Sequence, residues 1–325
     1  MAGCPCERMA DAGGVRWQVL AEGSMGLEEN KAIMRRWLKE GWSTGNVDVA
    51  DEIVSKDFTV HGAGGQSVKT GPNGVKELVR TWRKAFPDGV MHVLDDIAEG
   101  PYVGVRLLWT GTHTGDFYGA KPTGAKVTCS SIGIDEVRDG QIVGGWGELD
   151  MLGLMQQVHM LQKMGPDAPA DPVGDSETVP KPTSTSVAEN KAVVLKFVDA
   201  VNKWDLNAAR ALCASNYVEH NPAWGAISLQ GTFDTYQMIR AALPDLNFAS
   251  DTSLMVGNGD RVVLRGTVTG THTGADLFGV KASGKKLEWT GIDISRVTDG
   301  KISERWLSAD ILRLMQELGL VPAAG

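Results

Sequence analysis

The pentapeptide Gly111-Thr112-His113-Thr114-Gly115 recurs letter for letter as Gly270-Thr271-His272-Thr273-Gly274. The repetition extends far beyond it. Glu29-Asn30-Lys31 returns as Glu189-Asn190-Lys191, Asp139-Gly140 as Asp299-Gly300, and Trp146 as Trp306, each 160 residues on. A near-constant offset held over more than a hundred residues means two copies of one fold. The period exceeds the ~20–50 residues of a solenoid repeat. It suits two domains of roughly 100–150 residues, each with its own core. The expected division is a tail at 1–26, a first domain at 27–165, a linker at 166–187 rich in Pro, Ser and Thr, and a second domain at 188–322.

Both copies show the same order of elements. A first helix is expected near 28–43, with Ile33, Met34, Trp37 and Leu38 at helical spacing, and again near 188–203. A short second helix, a short strand and a third helix follow, the last ending before Pro87 and Pro244. Four strand-like segments come next, the last two joined by Asp-Gly, a strong hairpin signal. A closing helix is expected after Asp150 and after Asp310. Helices followed by a strongly bent antiparallel sheet make an α+β plan, with a pocket between helices and sheet.

Composition narrows the function classes. A net charge of −8 and the lack of any long Lys/Arg run argue against a nucleic-acid partner. No apolar stretch approaches the ~20 residues of a membrane span, and the first 25 residues lack a signal-peptide core, so a cytoplasmic protein is expected. Cys4-Pro5-Cys6 has no companion Cys/His cluster at zinc-like spacing, so neither a metal nor another cofactor is expected.

The ordered set His220-Asn221-Pro222, Leu243-Pro244-Asp245, Gly-Thr-His-Thr-Gly, Arg296 to Ile302 with its Asp-Gly turn, Trp306, and Asp310 followed by Gly319 resembles the SnoaL-like polyketide cyclase family, of the nuclear transport factor two-like superfamily. The resemblance covers nearly all of both copies. Copy one departs where Gly62-Ala63 replaces Asn-Pro and Glu136 replaces Arg296. The resemblance implies two tandem cone-shaped α+β barrels, each with an apolar pocket. It also implies pairing through the outer sheet faces, here within one chain as a pseudo-dimer, with homo-oligomers open. The implied activity is a cofactor-independent cyclase, isomerase or epoxide hydrolase acting on a small apolar polyketide- or terpenoid-like molecule. Binding without chemistry is the alternative, because fold alone does not decide function.

In the characterised cyclases an Asp on the last strand handles the proton. That position falls at Leu307 in copy two and Gly147 in copy one, neither ionisable. Other groups must then substitute. Alternation along 285–297 puts Trp289, Gly291, Asp293 and Ser295 on one face. Asp293 is one acid/base candidate; the alternative is a side chain turned outward or paired with Arg265 or Arg296. Copy one has Gly133 there. His220, with His61 as its counterpart, is a second candidate, or else it anchors the following loop. Asp310 and Asp150 are pocket carboxylates or helix caps. Arg265, with its counterpart Arg106, polarises a substrate oxygen or faces the domain contact. His113 and His272 contact ligand or orient their loop. Trp224 is expected to lid a pocket, and Trp109, Trp146 and Trp289 to touch ligand or fill core. These candidates favour copy two as the working pocket and copy one as its partner.

Overall fold

A computed structural model describes residues 26–61, 67–162, 180–222, 225–248 and 254–322. The Cys4-Pro5-Cys6 motif, Trp224 and most of the proposed linker lie outside these residues.

Domain 1 contains α1 (Leu27–Arg36), continued by a π-helical segment Trp37–Ser43, then α2 (Ala50–Ile53), β1 (Val54–His61), β2 (Ser67–Lys69), α3 (Gly71–Ala85), β3 (Val90–Glu99), β4 (Tyr102–Thr112), β5 (Lys126–Arg138), β6 (Gln141–Leu149) and α4 (Met151–Gln157). Domain 2 repeats the series as α5 (Val187–Asn202), α6 (Leu206–Ala211), β7 (Cys213–Asn221), β8 (Gly225–Ser228), α7 (Leu229–Ala242), β9 (Met255–Asn258), β10 (Arg261–Thr271), β11 (Lys286–Thr298), β12 (Lys301–Ala309) and α8 (Ile311–Leu318). Each sheet has six strands, in the orders β2-β1-β6-β5-β4-β3 and β8-β7-β12-β11-β10-β9.

The α+β class and the duplication are as expected. The sheets differ from the expectation in two respects. They are mixed, because β1 runs parallel to β6 and β7 parallel to β12. They are also open, with strands at both edges, so neither domain is a closed barrel.

Local chemistry explains the boundaries. Ser186 and Glu189 form a reciprocal capping box at the start of α5. Asp139 and Gly140 have φ of 48° and 78°, and Asp299 and Gly300 have 51° and 72°. Two consecutive positive φ values are what a tight turn matched to the strand twist requires. The repeated pentapeptide also has a steric cause. A Cβ on Gly115 would lie 2.0 Å from the Lys84 carbonyl oxygen, and one on Gly274 2.0 Å from that of Ala241. Only glycine lets this loop pack on the end of α3 or α7. The repeated Asn30 and Asn190 each donate a side-chain hydrogen bond to a turn carbonyl, at Gly100 (3.1 Å) and Gly259 (2.9 Å), pinning the first helix of each domain to its sheet.

The helices cover the concave sheet faces, with cores built on Met34, Trp37, Phe58, Val79, Val105 and Val137 in domain 1 and on Val194, Phe197, Tyr217, Phe233, Leu264 and Val297 in domain 2. The outer faces pack on each other. Ile97, Ile132 and Ile134 meet Val256, Val263, Ile292, Ile294 and Trp306 in one buried cluster. Arg261 Nε donates to Asp95 Oδ2 across this contact at 2.9 Å, both side chains 1% exposed. The Arg106 guanidinium sits 4.7 Å over the Trp306 ring, and Glu99 accepts from Lys191 and from the Gly257 amide.

Candidate functional site

The concave hollow of domain 2 is occupied by an interlocked set of polar side chains. On β12, Arg305 Nη2 lies 3.2 Å from Asp293 Oδ2 of β11. Its Nη1 donates to Glu219 Oε2 of β7 at 3.2 Å and to the Tyr236 hydroxyl of α7 at 2.8 Å. Ser295 Oγ donates to Asp293 Oδ1 and the Tyr217 hydroxyl to Glu219 Oε2. The guanidinium carbon also lies 5.3 Å over the Phe197 ring. All five polar partners and Arg305 itself are buried. Desolvation raises the Glu219 pKa, opposed by Arg305 and the Tyr217 hydrogen bond. Burial opposes the Arg305 charge too, but Asp293 and its other neighbours outweigh it, leaving its pKa well above the ordinary value. A buried charge kept by partners on every side is committed to the fold and poorly free to exchange protons.

The expected alternation of Trp289, Gly291, Asp293 and Ser295 onto one face is correct, and that face is concave. Several other candidates sit elsewhere. His220 pairs in register with Trp306, on the opposite sheet face from Asp293. Its ring stacks on Trp306 at 5.4 Å and 6°, and its Nε2 is 2.9 Å from Glu304 Oε1. His220 and Asp293 are therefore not brought together. His61 likewise stacks on Trp146 at 4.3 Å and bonds Ser67 Oγ, its pKa lowered by burial and then by the Arg265 charge. Trp146 and Trp306 thus belong to the outer faces and line no hollow.

Asp310 and Asp150 are helix caps. Asp310 Oδ1 accepts from the Arg313 amide at 3.0 Å, and Asp150 Oδ1 from the Gly153 amide at 2.9 Å. Desolvation raises the Asp150 pKa against that hydrogen bond. Arg265 pairs in register with Ile292 and so faces the domain contact with Arg106. His113 and His272 are fully buried and hold their loops, through Thr123 Oγ1 at 3.1 Å and through Ser283 Oγ at 3.3 Å. Trp289 packs against Leu246, Leu314 and Leu318, and Trp109 lies edge-on to Trp42 and Trp82. Both are core.

Domain 1 presents a different hollow. Strand register equates Asp293, Ser295, Arg305 and Leu307 with Gly133, Asp135, Gly145 and Gly147. Glu219 is matched by Val60 and Tyr217 by Phe58, on strands that pair in parallel with β12 and β6. One carboxyl thus stands where domain 2 holds a network. Asp135 makes no ion pair or side-chain hydrogen bond with any described residue. Part of its surface remains accessible although its surroundings are strongly desolvating. Desolvation alone pushes its pKa up to about 7. Its seat depends on a glycine, because a Cβ on Gly145 would lie 2.6 Å from Asp135 Oδ1. A Cβ on Gly147 would meet nothing within 4 Å. Phe58, Val79 and Val105 are buried apolar neighbours in the core of this domain, while Val60, Val68 and Leu149 are exposed on the same sheet face as Gly145 and Gly147.

Sequence reasoning missed Asp135, Arg305 and Glu219. Asp135 was within reach, because it shares the face of Gly133 two positions along β5. Arg305 required knowing that β12 lies beside β7, a pairing that local patterns do not carry. An open groove of about 480 Å³ along α5 and α6, lined by Lys196, Asp199, Lys203 and Asp205 among others, shares no residue with either hollow.

The family model for SnoaL-like polyketide cyclase matches residues 32–158 and again 191–318. The chain belongs to the SnoaL-like polyketide cyclase family. Among its relatives is the nogalonic acid methyl ester cyclase of Streptomyces nogalater, 26% identical over 118 residues, which are 36% of this chain and 88% of that protein. The solved structure of AclR from Streptomyces galilaeus is 30% identical, covering 43% of this chain and 87% of AclR with a TM-score of 0.40. IdmH from Streptomyces antibioticus is 28% identical, covering 40% and 98% with a TM-score of 0.37. Each relative spans about one copy of this two-copy member of the SnoaL-like family.

Proposed function

We propose that this SnoaL-like protein is a cofactor-independent acid/base catalyst of the cyclase type, and that the hollow of domain 1 carries the chemistry. The observation behind this reading is the Asp135 carboxyl, unpaired among the described residues, beside the apolar Phe58 and Val105 and with a pKa near 7. A proton-transfer group is most effective when its pKa lies close to the working pH, and such a group contributes about 10²–10⁴-fold. In the carboxylate form Asp135 takes a proton from a carbon beside a substrate carbonyl. The resulting enolate attacks a second carbonyl carbon of the same molecule, forming a carbon–carbon bond. The new alkoxide recovers the proton from the Asp135 carboxylic acid, so no atom or electron is left over.

Domain 2 then serves as a covalent pseudo-dimer partner whose sheet covers the outer face of domain 1. This reverses the roles suggested by the candidate residues of the sequence. Asp293 is tied to Arg305 and Ser295, Asp310 caps a helix, and His220 lies on the other sheet face. The name of the Streptomyces nogalater relative supplies a first compound. Incubation with nogalonic acid methyl ester, or with simpler diketones able to close a ring by aldol addition, should yield the cyclised product by mass spectrometry and NMR. Asp135→Asn should reduce the rate at least 100-fold. A second reading, binding without turnover, draws on the absence of an ionisable group at Gly147 and Leu307. Saturable binding with no product and no effect of Asp135→Asn would favour it and defeat the first.

A further inference from the structure

We propose that Gly133 and Gly147 form a substrate shelf, and that the side chains at the matching positions of domain 2 close that domain's hollow, so the chain has one ligand site. This rests on the reading that the hollow of domain 1 is the working one.

Glycine inside a strand is unfavourable, since it carries no side chain to pack and loses more backbone freedom on folding. Its presence calls for a reason. Gly133 and Gly147 face each other across β5 and β6, inside regular pairing and away from the bulge between Glu136 and Val137. Neither has positive φ, so neither is there for a left-handed backbone. Gly147 is not forced by a close approach either, because a Cβ there would meet nothing within 4 Å. A Cβ on Gly133 would lie 3.3 Å from the Trp146 carbonyl oxygen, a tight contact with backbone, so it is Gly147 that marks open space. What remains is the space above them. Two glycines side by side expose flat peptide planes, with the exposed Leu149 two residues beyond Gly147 and the exposed Val60 opposite Gly145. Such a shelf accepts the flat face of an apolar molecule and leaves its edge against Asp135.

The same two positions in domain 2 hold Asp293 and Leu307, and the neighbouring positions hold Arg305, Glu219 and Tyr236 in mutual hydrogen bonds. Asp293, Leu307, Arg305 and Glu219 thus stand where domain 1 has Gly133, Gly147, Gly145 and Val60. The shape of the ligand site is therefore set by chain positions at which the two copies differ, not by those they share.

The test uses the full chain and N-phenyl-1-naphthylamine, a neutral aromatic probe that fluoresces in apolar surroundings. Titration should give saturable binding of one probe per chain. Gly147→Leu, which installs the domain 2 residue where a Cβ meets nothing within 4 Å, should fold normally and weaken binding at least tenfold. Leu307→Gly, which leaves Asp293, Arg305, Glu219 and Tyr236 in mutual contact, should change neither affinity nor stoichiometry. Gly133→Ala, a smaller change, should weaken binding less than Gly147→Leu. Turnover by Asp135→Asn is measured apart from probe binding, so loss of the acid/base reading and loss of the shelf are read separately. Two probes per chain, unchanged binding by Gly147→Leu, or no saturable binding by the parent would each overturn the proposal.

Discussion

Arg305 reaches Asp293 on the adjacent strand at 3.2 Å, while the register-equivalent residues in domain 1, Gly145 and Gly133, have no side chains at all. Duplication has given one fold two interiors, one filled by a polar network and one left open over a single carboxyl. Arg305→Ala should therefore be costly. It leaves Asp293 and Glu219 buried without their cation, which typically costs about 3–5 kcal/mol. Calorimetry should show domain 2 melting early. A melting temperature within a degree of the parent would contradict the network's structural role.

Asp135 makes stability depend on pH. Its folded pKa of about 7 lies above the ordinary 3.8, so between these values the folded protein binds more protons than the unfolded chain. Stability must then fall as pH rises across that window, by up to about 1.4 kcal/mol per unit from this group. Glu148, buried beside Thr290 at the domain contact and also raised to about 7 chiefly by desolvation, acts in the same direction. Asp135→Asn should remove the first contribution. Relative to the parent, the variant should gain stability from pH 4 to about pH 7 and level off above it in denaturant titrations. A constant difference would mean that Asp135 titrates like a surface carboxyl.

The ion pair between Asp95 and Arg261 ties the two sheets together where both side chains are 1% exposed. Asp95→Ala should cost about 1.5–3 kcal/mol, the loss of one hydrogen bond to a charged group, because Asp260 still lies 2.6 Å from Arg261 Nη1. It should also split a single cooperative melt into two. Retention of one transition at the parent's temperature would show that the apolar cluster around Ile134 and Ile294 couples the domains unaided.

Asp310 and Asp150 provide a contrast. As helix caps, each replaced by Ala should cost about 1 kcal/mol and leave turnover intact. A loss of activity without loss of stability would return them to the list of acid/base groups.

The sequence disclosed the duplication, the α+β class, the Asp-Gly turns, the closing-helix caps and the concave row on β11, because each has a local signature. Glycine sterics and capping act within a few residues. The chemistry was harder to read. His220 and Asp293 are both acid/base candidates in the sequence, yet strand alternation sets His220 on the opposite face, against Trp306. Whether a buried Asp is free or paired depends on which strand lies alongside, and β12 beside β7 is a pairing across more than eighty residues. Asp135 gave no alarm in the sequence because its distinction is what surrounds it, namely glycines at 133, 145 and 147 brought together only by the sheet.

The most direct test is a ¹³C NMR titration of the Asp135 carboxyl in the full protein, assigned by comparison with Asp135→Asn. The account predicts a midpoint near pH 7. A midpoint near 4, in the range of carboxyls in open water, would contradict it.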